Sequence, residues 1–411
     1  MEPLLSFENH NNTPYILDPV LVKKPWGVDA RMLYQLTHIR PQGQGLYGEV
    51  WFASTHTAQE HLTNRVINYG DGTRTLYDLI IRERHHFLGK NLSYALTHPQ
   101  KRGKTEGWYI REVCGIVKII TGLKKEIARA QFNELEQKGY FNRNLTIEQL
   151  ERDLVTTELA RTGETFVVKP GTLHAFWPMD KNSYCVVDEV QEGPTNNLLA
   201  THSKTLLIND KVSLNVHPHG SQIQAEIRKD VAKILSADPT VRVCDFGREH
   251  ENAIQSDIAT GLLDYGHTTC SKTTPLLEHL GDKSTLTHLF ANYYFAKDRL
   301  QVAQGGSATL STSGKHYLIM YVVQGSVSIC TETSLVDLHA GQSAAFPAYL
   351  GVYTIEAHEH SDMFFDYVPD VQEKISRLED RGFTPEEICG LDGACFENDI
   401  KKEYERKRVV V

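Results

Sequence analysis

The chain has 411 residues and a net charge of −9, from 52 acidic side chains against 43 Lys and Arg. That balance disfavours general nucleic-acid binding and leaves room only for a local basic pocket. At 40% hydrophobic and 23% charged, the composition is that of a globular protein, not a fibrous or disordered one. No apolar run approaches the ~18 residues of a membrane span. The length predicts two or three domains, large enough to bury a core without disulfides.

The seven cysteines, Cys114, Cys185, Cys244, Cys270, Cys330, Cys389 and Cys395, are scattered and form no CxxC pair. The first residues lack the basic-then-apolar pattern of a secretory signal. Both features predict reduced thiols and a cytoplasmic location.

Over 15–124 the sequence shows short β-rich runs broken by Gly and Pro, such as Gly48-Glu49-Val50-Trp51-Phe52-Ala53 and Gly107-Trp108-Tyr109-Ile110. Frequent turns between short strands predict a sandwich or barrel. Between Lys124 and Leu159 the pattern is helical. Thr146 is placed to cap a helix on which Leu150 and Leu154, four apart, share a face. Strand character returns over 164–168, Pro170-Gly171 makes a turn, and Leu173-His174-Ala175-Phe176 leaves it. The stretch 195–240 is mixed, with a strand-like run at 212–218 and a helical run at about 222–235.

A second β-rich block covers about 286–369. It contains the hydrophobic strand 317–323, a turn at Gln324-Gly325 and an alternating strand 326–329. This rhythm predicts a double-sheet jelly roll. The final ~40 residues are charged and helical in pattern. The run 401–408 reads as a solvated helix face rather than a nucleic-acid patch.

Several segments, in this order, carry a resemblance. They are Lys24-Pro25-Trp26-Gly27, Gly48-Glu49-Val50-Trp51-Phe52-Ala53-Ser54, Gly103-Lys104-Thr105-Glu106-Gly107-Trp108-Tyr109-Ile110, Pro170-Gly171-Thr172-Leu173-His174-Ala175 and Asp188-Glu189-Val190-Gln191. Together they resemble type I phosphomannose isomerase, the zinc-dependent mannose-6-phosphate isomerase of the cupin superfamily. The resemblance covers roughly 15–370. It implies a mainly β protein with two cupin-like jelly rolls. The first is catalytic and spans 1–265, with a helical insertion at about 124–160. The second spans 266–370, and a helical tail spans 371–411.

One segment departs from the family order. In the family, a leucine-leucine-lysine run and a serine-x-glutamine-x-histidine-proline run precede the element that contains Lys104 and Glu106. That place holds only Leu92-Ser93-Tyr94-Ala95-Leu96-Thr97-His98-Pro99 here. A better match lies later, from Lys204-Thr205-Leu206-Leu207 through Ser213-Leu214-Asn215-Val216-His217-Pro218. The segment is therefore displaced in chain order and carries Asn215 where the family has glutamine. It is followed by Asp238-Pro239-Thr240-Val241-Arg242 and Arg248, which resemble the family's catalytic Asp-x-x-x-Arg element and a further basic residue.

Carried over, the resemblance implies one Zn2+ per chain held by Glu106, His174, His217 and Asn215. Asn215 and His217, two apart on one strand, would point to one face. Asn215 is one methylene short of glutamine, which leaves water as its alternative; His98 is a second candidate ligand, although Leu96 then fills the companion position. Arg242 would stabilise enediolate charge, and Asp238 would orient it or move a proton. Lys204 and Arg248 would bind phosphate. Lys104 would reach substrate or pair with Glu106. Trp26, Trp51 and Trp108 read as core aromatics. His316, His339, His358 and His360 lack metal-cupin spacing, so the second jelly roll reads as metal-free.

The implied reaction interconverts mannose 6-phosphate and fructose 6-phosphate through an enediolate. The alternatives are a relative that binds a sugar or sugar phosphate without turnover, or an isomerase of another sugar. The implied partner is a small sugar phosphate, with no nucleic acid and no membrane.

Overall fold

The computed structural model describes residues 13–17, 19–41, 43, 45–52, 105–138, 146–180, 182–191, 265–266, 270–314, 316–394 and 397–409, with short strands at 68–69, 74–75, 204–208 and 212–216. The protein is mainly β, with antiparallel sheets and a helical C-terminal segment.

The first pair of facing sheets is built around the strand Glu106–Cys114. This strand lies between Tyr184–Gln191 and Thr165–Val168, and Cys270–Lys272 closes the four-stranded sheet. Opposite stands a three-stranded sheet ordered Ala175–Pro178, Val117–Leu123, Val155–Leu159. Successive side chains on a strand point to opposite faces. Trp108 and Ile110 therefore enter the core between these sheets, with Ile119, Phe166 and Val168. Tyr109 and Val167 face the other way.

The second pair obeys the same rule. Leu318, Met320 and Val322 on one strand, and Met363 and Phe365 on another, join Ile329, Leu338 and Ile355 of the opposing four-stranded sheet. Tyr321 and Phe364, at the alternate positions, turn back towards Tyr109, Val167, Phe290 and Phe295. The sheet containing 318–324 and 361–367 is thus buried on both faces, which explains its near-continuous apolar runs. The two sandwiches are fused through this layer.

The chain does not keep each sandwich to itself. Tyr15–Leu17 pairs with Ser343–Phe346 in the second sandwich, and Cys270–Lys272 pairs with Thr165–Val168 in the first.

The helical insertion contains helices at Arg129–Gln137 and Ile147–Asp153. Phe132, Ile147 and Leu150 cover Ile120 and Leu123 of the three-stranded sheet. The expected cap is present: Thr146 Oγ1 accepts from the Gln149 N–H at 3.3 Å, and the Gln149 side chain accepts from the Thr146 N–H at 2.8 Å. The helical reading ran too far at its end, because Val155–Leu159 is a strand. Its β-branched Val155-Thr156-Thr157 favours the pleated sheet, where Val117–Leu123 offers an edge.

The tail forms helices at Val371–Asp380, Pro385–Cys389 and Asp399–Val409. Ile375, Leu378, Ile388 and Ile400 pack on Leu276, Ala291 and Ala296. The segments 204–208 and 212–216 pair as an antiparallel hairpin with Leu206 opposite Leu214. The helical run expected at 222–235 lies outside the described residues. Among the described residues no helix is long and apolar enough to cross a membrane, and Cys114, Cys185, Cys270, Cys330 and Cys389 are free thiols.

Candidate functional site

Glu106 opens its strand and is buried, with its side chain only 5% exposed. A carboxylate in such a place needs donors. Trp108 lies two residues on and faces the same side. Its indole Nε1–H donates to Glu106 Oε2 at 3.1 Å. Trp108 is a core aromatic, as expected, but its N–H also serves this carboxylate.

His174 is delivered by the turn after Val168. Gly171 adopts φ +87°, a left-handed conformation that a glycine takes without steric cost. The Lys169 carbonyl accepts from the Thr172 hydroxyl at 2.7 Å and from the Thr172 N–H at 3.3 Å, which closes the turn. The Thr172 carbonyl then lies 2.9 Å from His174 Nδ1. A carbonyl can only accept, so Nδ1 carries the hydrogen. In the neutral ring Nε2 is then a bare acceptor. That atom stands 3.5 Å from Glu106 Oε2. The Trp108 ring meets the His174 ring edge-on with centroids 5.3 Å apart.

A bare imidazole nitrogen and a carboxylate oxygen facing each other are two acceptors. They coexist stably when a proton or a cation sits between them. Carboxylate oxygen and imidazole nitrogen are donors that zinc takes, and a carbonyl bonded to the other ring nitrogen is the usual means of fixing the ligating tautomer. The His174 side chain is 34% exposed, so the pair is open on one side. Glu106 and His174 thus offer one oxygen and one nitrogen donor of the kinds that a divalent metal takes. Among the described residues, no group of three or more His, Cys, Asp and Glu could hold a metal.

The other expected site residues fall differently. Asn215 lies on the strand Val212–Val216 opposite Thr205, and Lys204 lies opposite Val216. The strand ends at Val216, one residue before His217. His217, His98, Lys104, Asp238, Arg242 and Arg248 lie outside the described residues. Trp51 donates to Glu49 Oε2 at 3.1 Å. A cavity of about 200 Å³, lined in part by Thr105, Lys169, Tyr293, Asp399 and Lys402, lies on the tail side, and neither Glu106 nor His174 lines it.

One polar centre escaped the sequence reading. His288 is fully buried in the second sandwich. Its Nδ1 is 2.9 Å from Asp298 Oδ1 and its Nε2 is 3.2 Å from Glu278 Oε2. Lys374, from the tail, reaches Asp298 at 3.1 Å and Tyr367 Oη at 2.7 Å. Arg381 reaches Glu278 at 3.0 Å. Burial raises the Asp298 carboxyl, but Lys374 and His288 outweigh it and hold it below the usual range. The His288 hydrogen bond, against burial, likewise holds Glu278 low, and burial lowers Lys374. Through the contacts of Lys374 with Asp298 and Tyr367, this centre fastens the helix Val371–Asp380 to the sheet.

No protein-family model matches the chain, and no curated protein matches it either. Solved structures do. The mannose 6-phosphate isomerase from Bacillus subtilis aligns with a TM-score of 0.55 at 16% identity, covering 86% of this chain and 99% of that one. A variant of phosphomannose isomerase from Salmonella typhimurium aligns with a TM-score of 0.50 at 12% identity, again over 86% and 99%. The likeness spans nearly all of both neighbours, and the chain therefore has the mainly β, cupin-like fold of these two proteins.

Proposed function

We propose that the chain is a zinc-dependent aldose–ketose isomerase that interconverts mannose 6-phosphate and fructose 6-phosphate in the cytoplasm. The observation that carries the proposal is the pair Glu106 Oε2 and His174 Nε2, 3.5 Å apart, with His174 Nδ1 already committed to the Thr172 carbonyl. The fold shared with two sugar-phosphate isomerases supports it.

In this reaction one proton moves from C2 to C1 while the O2 hydroxyl proton passes to O1. The intermediate is an enediolate whose charge must be stabilised. A divalent metal, bound by Glu106 and His174 with His217 and either Asn215 or water, would polarise the sugar oxygens and acidify the C–H. The Trp108 N–H orients the Glu106 carboxylate, and the Thr172 carbonyl fixes the His174 tautomer. Arg242 is assigned to the enediolate charge, because its guanidinium stays protonated and presents a planar donor fork. Asp238 orients Arg242 or carries a proton. Lys104 contacts substrate, and Lys204 and Arg248 take the phosphate.

The short amide of Asn215 favours one rival, a sugar-phosphate-binding relative without turnover. A single experiment separates the two. Mannose 6-phosphate is supplied and fructose 6-phosphate formation is followed with a coupled assay, before and after chelation and after zinc is restored. Turnover that is lost on chelation and regained with zinc is expected. Binding without product would favour the rival, and turnover indifferent to chelation would remove the metal from the reaction.

A further inference from the structure

A buried ion cluster joins the tail to the first sandwich. Lys169 is 4% exposed. Its Nζ lies 2.9 Å from both Asp392 carboxylate oxygens and 3.3 Å from Asp399 Oδ2. The Asp399 N–H donates to Asp392 Oδ2 at 2.6 Å, which ties the two acids together. Lys402 adds a second cation, 3.3 Å from Asp399 Oδ1. Burying two carboxylates around an ammonium is a costly way to hold a tail; an apolar contact of the same volume often does it at least as well. A placed charge does fix geometry.

Lys169 follows Val168, the cross-strand partner of Glu106. Its carbonyl is the acceptor that closes the turn onto Thr172, and the Thr172 carbonyl holds His174 Nδ1. A continuous chain of bonds therefore runs from Asp392 and Asp399 through the Lys169 side chain, the Lys169 carbonyl and Thr172 to His174. We propose that Lys169, anchored by Asp392 and Asp399, is a positioning residue for His174, so that the C-terminal tail is part of the candidate site. The use made of His174 rests on the isomerase proposal; the positioning itself does not.

The test uses the full chain, metal-free and labelled with 15N-histidine, with His174→Gln to assign the ring. Two quantities are read: the hydrogen-bonded Nδ1–H signal of His174, and zinc affinity by competition with a chromogenic chelator. The variants are Lys169→Met and the milder Asp399→Asn. The control is Glu403→Gln, which loosens the same tail at Tyr293 and Gln372 without touching Lys169. Lys169→Met should abolish the Nδ1–H signal and weaken zinc binding about tenfold, at the low end for residues that orient a metal ligand. Asp399→Asn should do the same to a smaller degree, and it carries the test should Lys169→Met not fold. Glu403→Gln should lower the melting temperature and leave both readouts unchanged.

If Lys169→Met, or Asp399→Asn in its place, keeps the signal and holds zinc affinity within about twofold, the proposal is overturned. It is overturned equally if Glu403→Gln moves His174 as far as Lys169→Met does. Neither readout depends on turnover. A wild-type protein that makes no fructose 6-phosphate, but loses the Nδ1–H signal in Lys169→Met, would sink the isomerase reading and keep the positioning claim.

Discussion

Gly107 sits where the two sandwiches fuse, and adding one carbon there tests how tightly they do so. A Cβ at this position would lie 2.4 and 2.6 Å from two Phe290 ring carbons and 2.8 Å from a Phe295 ring carbon. Carbon atoms pack comfortably at about 3.5–4.0 Å. Phe290 is fully buried and Phe295 nearly so, and their rings already meet edge to face at 5.9 Å, so neither can swing into solvent. The strand cannot retreat either, because Gly107 is paired with Val190 on one side and Val167 on the other. Gly107→Ala should therefore destabilise by about 1–3 kcal/mol, the usual cost of overpacking. Phe290→Leu removes the ring atoms that clash. The double variant should then be more stable than the two single losses predict, by about 0.5–3 kcal/mol. Urea titrations of the four proteins, followed by far-UV circular dichroism, measure this. A Gly107→Ala loss within about 0.5 kcal/mol of zero, or additivity within about 0.5 kcal/mol, would refute the packing argument.

Other expectations concern chemistry and charge. His174→Ala should abolish metal-dependent turnover while the melting temperature changes little, since the two apolar cores hold the fold; near-native turnover would remove His174 from the mechanism. Asp298→Ala should cost about 3–5 kcal/mol, because it strands the buried ammonium of Lys374, and a urea midpoint equal to wild type would contradict this. The Asp298 and Glu278 carboxyls are both held low in the folded protein. Their contribution is present above their unfolded values near pH 4 and is lost as pH falls through the folded ones, so acid should loosen the tail helix first, as amide exchange would show. Asp392 behaves oppositely: burial, reinforced by Asp399 against Lys169, raises it to about 7, so wild type should lose more stability than Asp392→Asn as pH rises through about 7. Arg242→Ala should mainly lower kcat, and Arg248→Ala should mainly raise KM for the phosphorylated sugar; steady-state kinetics showing the reverse would exchange their roles.

Much of the fold was legible because its signals are local. Thr146 followed by Gln149 three residues later is a capping pair that needs no tertiary partner. Pro170-Gly171 marks the turn that delivers His174, and residues alternate along the strand after Glu106, so Trp108 had to share its face. Other features depend on what covers a sheet. His288, Glu278 and Asp298 are polar residues on adjacent strands, and nothing in those strands announces that the helix Val371–Asp380 will bury them. Val155–Leu159 was hidden for a related reason: it follows a capped helix directly, and the edge that recruits it lies more than thirty residues earlier in the chain, at Val117–Leu123. The Lys169 link to Asp392 spans 223 residues, and no periodicity records such a contact.

The most direct test of the central claim is proton nuclear magnetic resonance of mannose 6-phosphate incubated with the zinc-loaded protein in deuterated water, beside His174→Ala. Fructose 6-phosphate is expected to appear, with some deuterium at the carbon that receives the proton, and the variant should give neither. Mannose 6-phosphate that stays unchanged with the wild-type protein, while zinc remains bound, would contradict it.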